Sequence, residues 1–240
     1  MKHSVLVCND HQQDQWSALY LKIACRLVDT YALDGKAIVR EGVRRYACRM
    51  AEGRRQALLA ANCKTNLETF FADGFGLPCG ERTGKEWIRH TEQEMFVTVC
   101  TCPYAQAWDE REEVGRMFCE EYYPALVHAG TSEKSQINLG YTMLNGRDNT
   151  CRLSVYLRPA NVPPPQRAQC FTAFDLANSE APVTPAYLPD FEAQKRWLYK
   201  SFLSAAQERL GAECAAAVQA WAREYSAEND DAGFLKMMEG

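Results

Sequence analysis

The sequence predicts an α+β fold: helices packed on a small antiparallel β-sheet, closed by a long C-terminal helix. Three observations predict it. Two consecutive helical patterns open the chain, short alternating β-branched stretches occupy its middle, and an apolar stripe of helical period fills its end. No regular strand-helix alternation runs through the 240 residues, which excludes a doubly wound parallel sheet.

From Gln12 to Thr30, residues Trp16, Leu19, Tyr20, Ile23 and Leu27 recur at three- and four-residue steps and mark an amphipathic helix. A second helix is predicted from about Leu33 to Asn62, with Ile38, Gly42, Tyr46 and Met50 on one line. Arg40, Arg44, Arg45, Arg49, Arg54 and Arg55 are distributed around it, most of them expected in water, and Glu41 and Arg45 are spaced for a surface pair. The stretch "ADGFGLPCGERTG", residues 72–84, holds four glycines and a proline and reads as a loop with an accessible Cys79. Glu94 to Cys100 alternates Met95, Val97 and Val99 against Phe96, Thr98 and Cys100, the pattern of a strand.

Past Pro103, which suits a helix entrance, Trp108, Glu112, Gly115, Phe118, Tyr122 and Leu126 predict a helix to about His128, with Cys119 on or beside its buried face. Ile137 to Leu144 and Cys151 to Leu157 are two more strands, joined as a hairpin by "NGRDNT". Seven of the ten prolines lie between Pro159 and Pro189, so an extended surface connection is expected there, with a short element around Cys170 to Leu176. From Asp190, an N-cap, the residues Leu198, Phe202, Ala205, Leu210, Cys214, Val218 and Trp221 trace one stripe over about eight turns. This helix is expected on the outside of the fold or against a second subunit, and the tail "SAENDDAGFLKMMEG" reads as a mobile end. The organisation expected is a main α+β domain over residues 1–158, with 159–240 as a connection and helical extension packed on it.

Composition is that of an ordinary soluble protein: 47% hydrophobic, 24% charged, formal net charge -4. That balance argues against a polyanion binder, so no nucleic-acid partner is expected. Eleven cysteines, odd in number and irregular in spacing, follow a start whose apolar run is too short for a signal peptide; reduced thiols and a cytoplasmic location are the expectation. No window approaches the roughly 18 apolar residues of a membrane span, so no membrane partner is expected.

The chemistry-bearing residues start with "FVTVCTCPYAQAW", which sets Cys100 and Cys102 at a strand end before a helix. One reading makes Cys102 a nucleophile, its thiolate stabilised by the unpaired N–H groups of the helix start. The other lets both cysteines simply pack, as free cysteine commonly does. Asp148 reads as a general base or amidinium partner, or as a turn-former using its own backbone. Trp108 can stack on a flat heterocycle or fill the core, and Arg44 and Arg45 offer a fork for a substrate carboxylate. A competing class is a non-catalytic binding protein holding a small ligand, or a soft metal on Cys100, Cys102, Cys119 and Cys151, although no Cys-x-x-Cys pair occurs. A third class is a partner-binding subunit, a homodimer sealed by the last helix.

Four stretches carry a family resemblance: "YALDGKAIVREGVRRYACRMAEG", "VTVCTCPYAQAW", "FCEEYY" and "NGRDNTC", in that order. Together they resemble the L-2-amino-thiazoline-4-carboxylic acid hydrolase family. Members typically show a tyrosine-to-glycine helical stretch with arginines, a Cys-Pro followed by a tryptophan, a cysteine in the next helix and an Asp-x-x-Cys after a glycine turn. The resemblance covers roughly residues 12–158. It implies a hydrolase of non-peptide C–N bonds that opens a small carboxylate-bearing sulfur-nitrogen heterocycle to a carbamoyl-cysteine, in a pocket between the sheet and the third helix. No cofactor and no metal are implied, and the expected partner is a small-molecule substrate. Matched by position are Cys102, Cys119 and Asp148 as catalytic candidates and Trp108 and Cys151 around the substrate; Arg44 and Arg45, in the matched helical stretch, and Glu120 and Tyr123, beside the helical cysteine, complete the substrate-binding candidates. One departure stands out: the family often has an aspartate shortly after the helical cysteine, where this chain reads "CEEYYPAL". Tyr122 or Tyr123 falls near that place, and Glu120 and Glu121 are the carboxylates beside it.

Overall fold

The computed structural model describes residues 9–145, 148–175 and 183–239. Its elements are α1 (Asp10–Ala60), α2 (Leu67–Phe70), β1 (Gly84–His90), β2 (Glu94–Thr101), α3 (Pro103–Ala107), α4 (Glu112–Gly130), β3 (Gln136–Tyr141), β4 (Cys151–Tyr156), α5 (Pro164–Cys170), α6 (Phe191–Leu210), α7 (Ala212–Glu228) and α8 (Ala232–Glu239). This is the α+β architecture the sequence predicts. The described residues fall into two compact units: one holds Cys48–Pro103 and Tyr123–Leu188, the other residues 9–47, Tyr104–Tyr122 and Pro189 onward. Helices α1 and α4 contribute to both.

The first unit is built on a four-stranded sheet in the order β1-β2-β4-β3, every neighbour antiparallel. The expected alternation is present: Met95, Val97, Val99, Leu153 and Val155 are buried on one face. The hairpin β3–β4 is present too; Gly146 and Arg147 of its turn lie outside the described residues. Strand β1 is an addition to the sequence reading. Its register shifts between Trp87 and Arg89, and both large apolar residues, Trp87 and Ile88, are exposed, so the period-two signal of a half-buried strand is missing.

Arginine 54 also departs from expectation. Rather than standing in water it is buried, donating to the carbonyls of Phe70 at 3.2 Å, Thr69 at 2.7 Å and Pro185 at 2.6 Å. Carbonyl dipoles replace the lost hydration, and burial still lowers its pKa. The guanidinium thereby ties α1 to α2 and to the segment 183–188. Gly53, one turn-position away, makes room for that segment, because a Cβ there would lie 1.7 Å from the Tyr187 hydroxyl. Within the proline-rich stretch the short element is a helix, α5, that begins earlier than expected because Pro164 and Pro165 suit a first helical turn; a 3-10 turn follows at Thr172–Phe174, and Leu176 lies outside the described residues.

In the second unit the two predicted N-terminal helices meet at Ala32, whose φ of 48° and ψ of -116° break α1 sharply. Close packing across that break requires glycine at 35: a Cβ would sit 2.0 Å from the Leu27 carbonyl oxygen. The predicted helix after Pro103 is segmented into α3, a 3-10 turn at Asp109–Arg111, and α4. The single C-terminal helix of the sequence reading is likewise divided, because Gly211 adopts φ 82° and ends α6 before α7 begins. The tail expected to be mobile instead forms α8. Lys195, fully buried, pairs with Asp231 and with Glu192 at 2.7 Å, while Asp231 also accepts from Tyr225 at 3.2 Å and from the Phe234 amide at 3.0 Å.

No described helix is long and apolar enough to cross a membrane. Cys79 is disulfide-bonded, which departs from the expectation of thiols throughout, whereas Cys25, Cys48, Cys63, Cys100, Cys102, Cys119, Cys151, Cys170 and Cys214 are reduced thiols.

Three outcomes follow for stability. Gly35→Ala is expected to cost about 2–4 kcal/mol in denaturant unfolding, because backbone on both sides of the contact cannot yield. Gly140→Ala, where a Cβ meets nothing within 4 Å, is expected to change stability by less than about 0.5 kcal/mol. Asp231→Ala leaves the Lys195 ammonium buried beside Glu192 alone and is expected to cost about 3–5 kcal/mol by the same measurement.

Candidate active site

The ladder between β2 and β4 pairs Glu94 with Tyr156 at one end and Val99 with Cys151 at the other. Cys102 stands three residues past Val99 on the chain leaving β2, and Asp148 three residues before Cys151 on the chain entering β4. The candidate thiol and carboxylate thus belong to the same end of the sheet, where β2 leaves and β4 enters. Cys102 is 9% exposed and precedes the proline that opens α3. Asp148 is half-buried, and its charge reaches Cys151.

Cys151 faces the same side of the sheet as its partner Val99. Its sulfur accepts the Met143 amide at 3.2 Å. Burial pushes the Cys151 thiol up, the amide partly offsets this, and the carboxylate of Asp148 adds to the rise. Cys151 is therefore a protonated thiol near neutral pH. Cys100 points to the other face and is exposed.

Sequence reasoning passed over Lys85. It pairs with Val99 from the β1 side, so Lys85, Val99 and Cys151 form one row across the same face. Its ammonium donates to the Pro78 carbonyl at 3.3 Å, has no carboxylate partner among the described residues, and is lowered in pKa by burial. Gly74 leaves room for it, since a Cβ there would lie 2.5 Å from Nζ. No periodic signal could have found Lys85, because β1 itself was not legible.

The other candidates have different surroundings. Trp108 is 1% exposed, its indole N–H donates to Ser17 Oγ at 2.8 Å, and Tyr104 and Tyr20 lie against it at ring separations of 5.2 and 4.9 Å. Those contacts are the core role weighed for this tryptophan. Arg44 donates to Glu41 and Glu121, both at 2.7 Å; Arg45 donates to Glu41 at 2.7 Å, Ser204 at 2.7 Å and Glu208. These bonds raise both guanidinium pKa values and hold Glu208 down at about 2. A substrate carboxylate reaching either arginine would compete with glutamates already in place. Glu120 accepts from Arg40 at 3.1 Å and meets Arg116 at 3.3 Å. Cys119 is half-buried on α4, as is Tyr123, which belongs to the first unit. Among the described residues no three His, Cys, Asp or Glu side chains are grouped to hold a metal ion.

The sequence profile of L-2-amino-thiazoline-4-carboxylic acid hydrolase matches residues 14–153, more than half of the chain. The chain belongs to that family. The matched span ends inside β4 and contains Cys102, Cys119, Asp148 and Cys151, while α5 to α8 lie beyond it. Comparison with curated proteins and with solved structures gives no match.

Thiol chemistry checks this description of the family's cysteines in the present chain. Alkylation followed by peptide mass mapping at about pH 7.5 is expected to modify exposed Cys48 and Cys100 first, with Cys151 slow until the pH climbs past its raised pKa. Equal rates for Cys100 and Cys151 at neutral pH would contradict the burial described.

Proposed function

We propose that the protein hydrolyses a small cyclic amidine bearing a carboxylate, of the L-2-amino-thiazoline-4-carboxylate type, to a carbamoyl-cysteine. Family membership over residues 14–153 is the observation that carries this reading. The sheet-end register supports the assignment of roles within it.

In this proposal Cys102, as thiolate, adds to the amidine carbon between the two nitrogens and the ring sulfur. The ring C–N bond then breaks, its nitrogen taking a proton, and leaves the carbon bound to the enzyme as a thioimidate. Water attacks that carbon, Cys102 leaves as thiolate, and the product carries the new C=O. Asp148 holds the amidinium N–H groups before the first step and takes the proton of the attacking water in the second. Lys85, a cation with no carboxylate partner among the described residues, receives the substrate's own carboxylate. Cys151 is proposed to line the same site as a protonated thiol. Arg44, Arg45, Glu120, Trp108 and Cys119 belong to the second unit and Tyr123 to the first, and no step is assigned to them. A cytosolic setting belongs to the proposal as well.

The test is incubation with L-2-amino-thiazoline-4-carboxylate and mass spectrometry for the product one water heavier. Cys102→Ser is expected to lower kcat by about 10³-fold or more, and Asp148→Asn by about 10²–10⁴-fold, each with stability changed by less than about 1 kcal/mol. Lys85→Met is expected to raise KM about tenfold or more with a smaller effect on kcat. No water-added product from folded protein across a range of pH would refute the reading.

A further inference from the structure

Strand β1 ends the sheet on one side, and among the described residues no strand pairs with its outer edge. Such an edge presents unpaired backbone N–H and C=O groups, and proteins commonly protect it with charge or with a covering element. Here the edge carries apolar side chains instead: Ile88 is 68% exposed and Trp87 37%. The charges beside them are ordered. The register shift leaves Ile88 without a partner on β2, so Glu86, opposite Thr98, and Arg89, opposite Phe96, stand on the same side of the sheet although they are an odd number of positions apart. Glu86 is exposed and has no partner among the described residues; Arg89 is exposed and bonds only to Glu94, at 2.6 Å, on the neighbouring strand.

The sequence Glu-Trp-Ile-Arg is therefore self-complementary when read against itself in reverse. We infer that β1 is an interface for a second copy of this chain, two β1 strands meeting antiparallel about a two-fold axis. In that arrangement Trp87 of each copy faces Ile88 of the other, and Glu86 faces Arg89 on both sides of the axis. A second copy fits better than an unrelated strand, because one short segment supplies both members of each charge pair and both members of each apolar pair. That is the condition an isologous contact imposes. The bulge, which on its own discourages edge pairing, here brings the two charges to one side of the sheet.

Analytical ultracentrifugation of the full chain from about 1 to 100 µM tests this. The expected result is a monomer-dimer equilibrium. Glu86→Arg, which sets like charges opposite each other twice, is expected to raise the dimer dissociation constant about tenfold or more. The double variant Glu86→Arg with Arg89→Glu restores both pairs and is expected to restore the dimer. Both positions are exposed, and circular dichroism checks that the variants remain folded. Hydrogen exchange of wild-type protein adds a second measurement, with protection of the 84–90 amides rising with concentration. A wild-type monomer over the whole range, or a dimer indifferent to Glu86→Arg, would overturn the inference.

Discussion

The antiparallel register between β2 and β4 is the constraint on which the site depends. In an antiparallel pair the end of one strand lies beside the start of the next, so residues far apart in sequence are brought level by the ladder rather than by side-chain packing. Val99 opposite Cys151 fixes that level, and the chain segments leaving it carry Cys102 and Asp148. A slip of one residue would turn Cys151 and every buried valine of β2 to the opposite face. The same apolar residues that stabilise the unit therefore also set the level of the segments that carry the proposed site.

Electrostatics separates the groups that hold the fold from those with capacity left for a ligand. Arg44 and Arg45 meet Glu41, Glu121 and Glu208, Arg54 is saturated by carbonyls, and Lys195 is enclosed with Asp231. In the first unit, by contrast, Lys85 is held by one long bond to a carbonyl. A desolvated ammonium without a counter-charge is costly, and an anionic ligand offsets that cost. The sheet end thus joins a thiol, a carboxylate and a cation on elements whose geometry is set by the ladder.

Much of this was legible in the sequence because periodicity reports burial. The spacing of Trp16, Leu19, Tyr20, Ile23 and Leu27, and the alternation through Met95, Val97 and Val99, record one wet and one dry side. The features that escaped have no periodic signature. Strand β1 exposes its apolar side chains, and the burial of Arg54 and Lys195 depends on partners more than ten residues away. Gly211 falls within the single C-terminal helix the stripe predicts and is a helix end. For the site, the ordered motifs identified the family and the candidate residues. Only the register could show that Cys102 and Asp148 share a sheet end, and only side-chain partners could show that Arg44 and Arg45 are already engaged.

The most direct measurement of the central geometry is disulfide trapping in an Asp148→Cys variant, oxidised gently and mapped by mass spectrometry after proteolysis. A disulfide requires Cα atoms within about 7 Å. The account predicts rapid formation of a bond between the new thiol and Cys102 in the folded protein. Failure of that bond to form, with Cys102 reactive and the protein native, would show that the two residues do not share a site.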